Sequence, residues 1–203
     1  MARPRNFAED DVIAAVRDQF WSHGYAGTSL DDLTEVTGLG RGSLYSAFGD
    51  KHALFIRALD EYCTTVIAGV TEELRGSEAG AYDRLVDHIR SMASINAADS
   101  ARRGCMMAKS AAELGSTDTV VVRRVKRSLD SYQSELAATI SEAQRDGDID
   151  PEAHPGYLAL LVLAVLRGAE SLRKGGCSAA DIMAVAEQAI DLLPRVAVPA
   201  RVP

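Results

Sequence analysis

Residues 28–51, TSLDDLTEVTGLGRGSLYSAFGDK, hold the side chains best suited to meeting a ligand at a surface. Arg41 carries a planar fork of donors that matches O6 and N7 of guanine, and Ser43 and Ser46 can bond base edges or phosphates. Gly42 has no Cβ and lets a ligand come close to the backbone. Thr28 and Lys51 begin helices on either side, where backbone N–H groups point at phosphates. Leu30, Leu33, Val36, Leu39, Leu44 and Phe48 can pack two short helices together across Gly38-Leu39-Gly40. That leaves Arg41, Gly42, Ser43, Tyr45 and Ser46 facing outward. Helix, tight glycine turn and second helix form a helix-turn-helix, which places its second helix in a DNA major groove.

Other chemistries find no comparable support. Histidines 23, 52, 88 and 154 are scattered, and none has a glutamate three residues earlier. No serine sits in a Gly-x-Ser-x-Gly elbow. The sequence therefore predicts no catalytic residue, no metal site, no cofactor and no enzyme. Gly38-x-Gly40-x-x-Ser43 imitates a dinucleotide fingerprint but lacks its third glycine and its preceding strand. Cys63, Cys105 and Cys177 form no close pair, which suits a reducing cytosol. Cys105 follows Arg102 and Arg103, whose charge would favour a thiolate and an oxidant or electrophile sensor; a small buried apolar residue is the stronger reading. The basic run Arg123, Arg124, Lys126 and Arg127 could attract an anionic effector or support a DNA face, although a solvated helix surface explains it better.

Composition sets the frame for these groups. The chain has 203 residues, 47% hydrophobic and 25% charged, as in a folded globular protein, and carries a net charge of −7. That balance excludes a generic nucleic-acid coat. Residues 1–51 hold five Lys/Arg against eight acids, a net −3, so a DNA-binding role needs local rather than overall positive charge, and a dimer for tight binding. Arg3 and Arg5 could add phosphate or minor-groove contacts. No secretory signal is visible, and the uncharged run Gly156–Leu166 falls short of the roughly 20 residues of a membrane span. It predicts a buried helix and no membrane partner.

The positioning elements are helical throughout. Val12, Val16 and Phe20 lie four apart and Gly24 stops their helix. Thr28 is placed as the cap of the next short helix, with Asp31 at its capping-box position. A second short helix covers about 41–47, and Asp50 caps a long one carrying Leu54, Ala58, Tyr62 and Val66. Tyr82, Leu85, Ile89, Met92 and Ile95 mark another face, residues 105–114 a short helix, and Val122 to Ala143 a helix of about six turns. Residues 154–173 and 178–193 supply the last two helices, and the tail VAVPARVP reads as loose. The first of that pair is apolar all round and must be covered all round. One face can meet its own bundle and the other a second copy of the chain. Leu158, Leu161, Val162 and Val165, joined by Ile182, Val185 and Ala189, are assigned to that four-helix homodimer interface.

The N-terminal segment resembles the tetracycline-repressor-like (TetR) family of bacterial transcriptional regulators. The resemblance is carried by Phe20, Gly24 and Tyr25, by Thr28, Thr37-Gly38-Leu39 and Gly42-Ser43-Leu44-Tyr45, and by Phe48, Lys51, Leu54 and Phe55. It covers about residues 7–60 closely; beyond that it extends only to helical pattern and length, and to Gly104-Cys105-Met106-Met107. It departs at Ala47, where histidine is common, and at Gly40, where serine or threonine often caps. The resemblance implies that Thr28 and Lys51 touch phosphates, that Tyr45 reaches the backbone, and that Arg41, Gly42, Ser43 and Ser46 lie at or near base edges. It also implies an effector pocket among the middle helices, for which Met92, Met106, Met107, Tyr132 and Tyr157 are the candidates.

The resulting expectation is an all-α protein. Residues 1–49 form a three-helix helix-turn-helix domain, and residues 50–203, beginning with a connecting helix at 50–73, form a bundle for dimerisation and ligand binding. Its function is a cytoplasmic, ligand-responsive regulator, most simply a repressor that leaves a near-palindromic double-stranded operator when a small molecule binds. The alternative is a helical ligand-binding or scaffold protein without specific DNA binding.

Overall fold

The computed structural model describes residues 8–196. Those residues contain nine helices and no strand; one isolated antiparallel bridge joins Ile149 and Arg195. They form two compact units whose membership does not follow chain order. The first comprises residues up to Val66 together with Cys105–Ser128, and the second comprises Ile67–Gly104 together with Leu129 onward. Arg3, Arg5 and all of the tail except Val196 lie outside the described residues.

In the first unit, α1 (Glu9–His23) buries Val12, Ile13, Val16 and Phe20. Its first turn holds Glu9, Asp10 and Asp11, where acids complement the helix dipole. Part of the acidity of this segment therefore serves the helix start. The Gly24 N–H closes α1 on the Phe20 carbonyl at 2.8 Å, with a φ of 80° that glycine adopts without strain. The cap of α2 (Leu30–Thr37) is Ser29, not Thr28 as expected. Ser29 Oγ accepts from the Asp32 N–H at 3.1 Å, and Asp32 Oδ2 accepts from the Ser29 N–H at 2.6 Å. Those bonds to Ser29 hold the Asp32 carboxyl below its ordinary range. Both registers put an acid at the third helical position; Thr28 is buried with its hydroxyl donated to the Gly24 carbonyl at 2.8 Å, which leaves Ser29 as the cap.

Gly38, with φ 66°, ends α2, and α3 (Arg41–Phe48) starts from Gly40 without a side-chain cap. Leu33, Leu44 and Phe48 are buried between these elements, whereas Val36 is exposed and does not join them. The long α4 (Lys51–Arg75) starts where Asp50 Oδ1 accepts the Ala53 N–H at 2.8 Å. Within the first unit it buries Leu54, Phe55, Ala58, Leu59, Tyr62 and Cys63, and Phe55 meets the edge of Phe20 at 5.1 Å. Helix α6 (Met106–Leu114) buries Met106 and Met107, and the first turns of α7 (Thr119–Asp146) bury Val121 and Val125. Val122 faces outward, off the predicted face.

The second unit takes the end of α4, α5 (Ala81–Ala98), the rest of α7, α8 (Pro155–Lys174) and α9 (Ala179–Asp191). Leu85, Ile89, Tyr132, Leu136, Ile140, Leu163, Leu166, Ala186 and Ile190 build its core. Ile95, expected on the α5 core face, is exposed. A polar chain crosses this core: His88 lies with one ring nitrogen on Glu73 and the other 2.6 Å from the Tyr132 hydroxyl. Arg84 seals the end of α4, donating to the Leu74 carbonyl at 2.9 Å.

Helix α8 is covered on one side only. Ala159, Val162, Leu163, Leu166 and Ala169 are buried, while Tyr157, Leu160, Leu161, Ala164, Gly168 and Leu172 form an exposed stripe at helical spacing. Leu160 is 50% exposed and Leu161 58%. By length and composition α8 is the one helix among the described residues apolar enough to cross a membrane. The uncharged run underestimates it, because the whole helix extends through Arg167 to Lys174. Two residues assigned to the dimer interface are corrected: Val162 and Ile182 are buried inside the protomer. A helix apolar all round gives its sequence no mark of which side faces home. Leu161 lies on the open side, and Leu158, Val165, Val185 and Ala189 are half-buried.

Candidate nucleic-acid interface

The two short helices settle the orientation of α3. Leu44 and Phe48, one turn apart, point inward and are buried, so Arg41, Gly42, Ser43, Tyr45 and Ser46 all face outward and are exposed. Among the described residues no atom outside its own helix turn lies within 4 Å of a Cβ at position 42. Close approach of an outside ligand remains as a reason for glycine there. Helix α3 starts with no side-chain cap, and the Ser43 N–H turns back onto the Gly40 carbonyl at 2.9 Å.

Arg41 is not idle. Its Nε and Nη2 reach Asp31 Oδ1 at 3.2 and 2.5 Å, and that bond raises the already high pKa of the guanidinium. Both side chains are exposed, so the pair is cheap to break or to share. Sequence spacing gives no sign of Asp31 as a partner of Arg41. It lies ten residues earlier on a different helix, and only the folded turn brings the two together.

Lys51 is half-buried at the first turn of α4, and its Nζ lies 4.3 Å from the centre of the Tyr25 ring. Tyr25 in turn packs against the edge of Phe55 at 5.0 Å and beside His52. The aromatic face thus gives the ammonium a fixed platform while leaving its N–H donors for an anion. His52 Nε2 is 2.6 Å from Asp118 Oδ2, at the start of α7. Thr28 departs from expectation. It is fully buried, and its hydroxyl donates to the Gly24 carbonyl at 2.8 Å. It closes the α1–α2 turn rather than presenting a donor to phosphate.

The effector candidates divide between the two units. Met106 and Met107 are buried in the first unit; Tyr132, buried, and Met92, half-buried, belong to the second. Tyr157 is 73% exposed and stacked on His154 at 4.2 Å. Cys63 and Cys105 are both buried in the first unit, and burial pushes the Cys63 thiol above its ordinary value. Among the described residues no cluster of His, Cys, Asp and Glu could hold a metal ion.

Known proteins share both parts of this chain. Residues 12–58 match the family described as bacterial regulatory proteins, tetR family, and residues 81–190 match the tetracyclin repressor-like C-terminal domain. The HTH-type transcriptional repressor ComR of Escherichia coli (strain K12) is 27% identical over 192 residues, 95% of this chain and 91% of its own length. The HTH-type transcriptional repressor BdcR of the same strain is 32% identical over 105 residues, about half of each chain. Among solved structures, a cysteine mutant of the TetR family transcriptional regulator CifR, complexed with 26bp double-strand operator DNA, superposes with a TM-score of 0.81. It is 27% identical and covers 95% of this chain and 100% of its own. The reduced form of E. coli NemR, at 17% identity, shares the fold with a TM-score of 0.84 over 93% of this chain and 98% of its own.

Proposed function

The chain belongs to the TetR family of bacterial regulatory proteins and is a DNA-binding transcriptional regulator, and from that premise we propose that it is a ligand-released repressor acting as a homodimer in the cytoplasm. The outward face of α3 carries the reading. Five consecutive or near-consecutive residues, Arg41 to Ser46 without Leu44, stand exposed on a helix whose other side is fixed by Leu44 and Phe48. Arg41 reads a guanine edge, Gly42 admits the groove wall, and Ser43, Tyr45 and Ser46 bond base edges and backbone. Lys51 meets a phosphate from its Tyr25 platform, and the buried Thr28 contributes shape rather than a contact.

Two such heads need a fixed spacing, and the open apolar stripe of α8 supports pairing of two chains. A two-fold dimer reads a near-palindromic operator with half-sites set by successive major grooves. A small molecule that binds the second unit and prefers the DNA-free state would release the operator, and a coupling of about 1–3 kcal/mol is typical of such switches. Relatives carrying the word repressor support the sign of regulation.

Selection of bound duplexes from random DNA, followed by gel-shift, tests this. The expected outcome is an inverted repeat bound by a dimer. No shift at any low-salt condition would overturn it in favour of a helical scaffold.

A further inference from the structure

We infer that Glu113 and Lys109 on α6 are positioning residues for DNA binding: together they fix the α1–α2 turn and, through Tyr25, hold Lys51 at the phosphate. The inference rests on the reading that Lys51 meets a phosphate. Lys109 Nζ donates to the carbonyls of Trp21 and Ser22, at 2.9 and 2.8 Å. These carbonyls lie in the last turn of α1. One α6 turn later, Glu113 accepts the Tyr25 N–H at 2.9 Å and the Ala26 N–H at 2.6 Å. The cation thus sits on the carbonyls at the negative end of α1, and the carboxylate sits on the N–H groups just beyond it.

All four bonds go to the backbone of one short stretch, so they set its position instead of merely adding burial. The packing of Met106 and Met107 would dock α6 without them. Gly24 lies close against the carboxylate: a Cβ there would stand 2.8 Å from a Glu113 oxygen. Tyr25 passes the restraint on. Its N–H is held by Glu113, and its ring lies 4.3 Å from Lys51 Nζ and 5.0 Å from Phe55. Contacts 87 and 88 residues apart in the chain therefore place the lysine that meets DNA.

The test uses the full chain and the duplex recovered by selection from random DNA, with binding followed by fluorescence anisotropy across a range of salt. Lys51→Met should weaken binding and lower the salt slope by about one. Glu113→Gln should weaken it by roughly tenfold, as expected for losing a charge-assisted bond, with the same fall in slope. The double variant Glu113→Gln/Lys51→Met should bind no worse than Lys51→Met alone. Lys109→Met should repeat the Glu113→Gln result by a separate route, so the outcome does not depend on one variant folding. A Lys51→Met defect with full affinity in both α6 variants, or an additive loss in the double variant, overturns the inference. Full affinity in Lys51→Met overturns the phosphate reading itself and the inference with it.

Discussion

Helices α3 and α8 each leave one side uncovered, and the chemistry of the two open sides differs. On α3 the open side is Arg41, Gly42, Ser43, Tyr45 and Ser46; on α8 it is Tyr157, Leu160, Leu161, Ala164, Gly168 and Leu172. The first is mostly polar and singly charged, suited to a hydrated, hydrogen-bonding, anionic partner. The second is apolar, and water is a poor partner for it. An exposed side is unfinished business in both cases, but its residue types say which kind of molecule finishes it. Polar groups within the second unit make the contrast plainer: His88, Tyr132 and Arg84 find their partners inside the chain.

The sharpest way to break the comparison is to give α8 the chemistry of α3. Leu161→Asp would place two carboxylates at a two-fold contact, at a cost of roughly 3–5 kcal/mol for uncompensated buried charge. The variant should sediment as a monomer at micromolar concentration and lose at least about 100-fold in operator affinity. Val162→Ala, one residue along but facing the core, should instead cost roughly 2 kcal/mol of folding stability and leave the dimer intact. A dimer that survived Leu161→Asp would mean that the open stripe has another role. Next in size, Arg41→Ala should cost about 1–3 kcal/mol at one base position and relax the preference there, measured by repeating the selection. Its melting temperature should hardly move, because the Asp31 pair it loses is exposed.

Gly42→Ala separates fold from function by sign. Among the described residues no atom opposes a Cβ there, and the residue is helical, so the substitution should stabilise the protein by up to about 1 kcal/mol. If the groove wall needs that space, operator affinity should fall while the melting temperature rises. Both quantities rising together would remove Gly42 from the interface.

Much of this was legible in the sequence because it depends on neighbours a few residues apart. The α1 face of Val12, Val16 and Phe20, and the inward Leu44 and Phe48 of α3, follow from helical spacing. Thr28 against Ser29 was a closer contest, since each has an acid three residues on and only the burial of Thr28 in the folded turn decides. Exposed Val36, Ile95 and Val122 show the limit of spacing: an apolar residue at a plausible interval still needs something to cover it. Val162 and Ile182 show another limit, because a helix apolar on every side does not mark its outer face. The Asp31–Arg41 pair, the His52–Asp118 bond and the Lys109 and Glu113 contacts had no local signal, as each joins separate elements.

The smallest effect concerns the support behind the reading face. The bond from His52, followed in effect by the Val121 and Val120 N–H groups, holds the Asp118 carboxyl below its ordinary value near 3.8. A carboxyl whose folded pKa is depressed contributes stability that is present above its unfolded pKa and is lost as pH falls through the folded one. Asp118→Asn keeps a good cap for α7, because asparagine serves that position about as well as aspartate, and removes only the charge. The loss at neutral pH should therefore be no more than about 1 kcal/mol. The gap in melting temperature between the parent chain and Asp118→Asn should close as pH falls below about 4. A gap that stayed open down to about pH 3 would assign the contribution of Asp118 to packing and not to its charge.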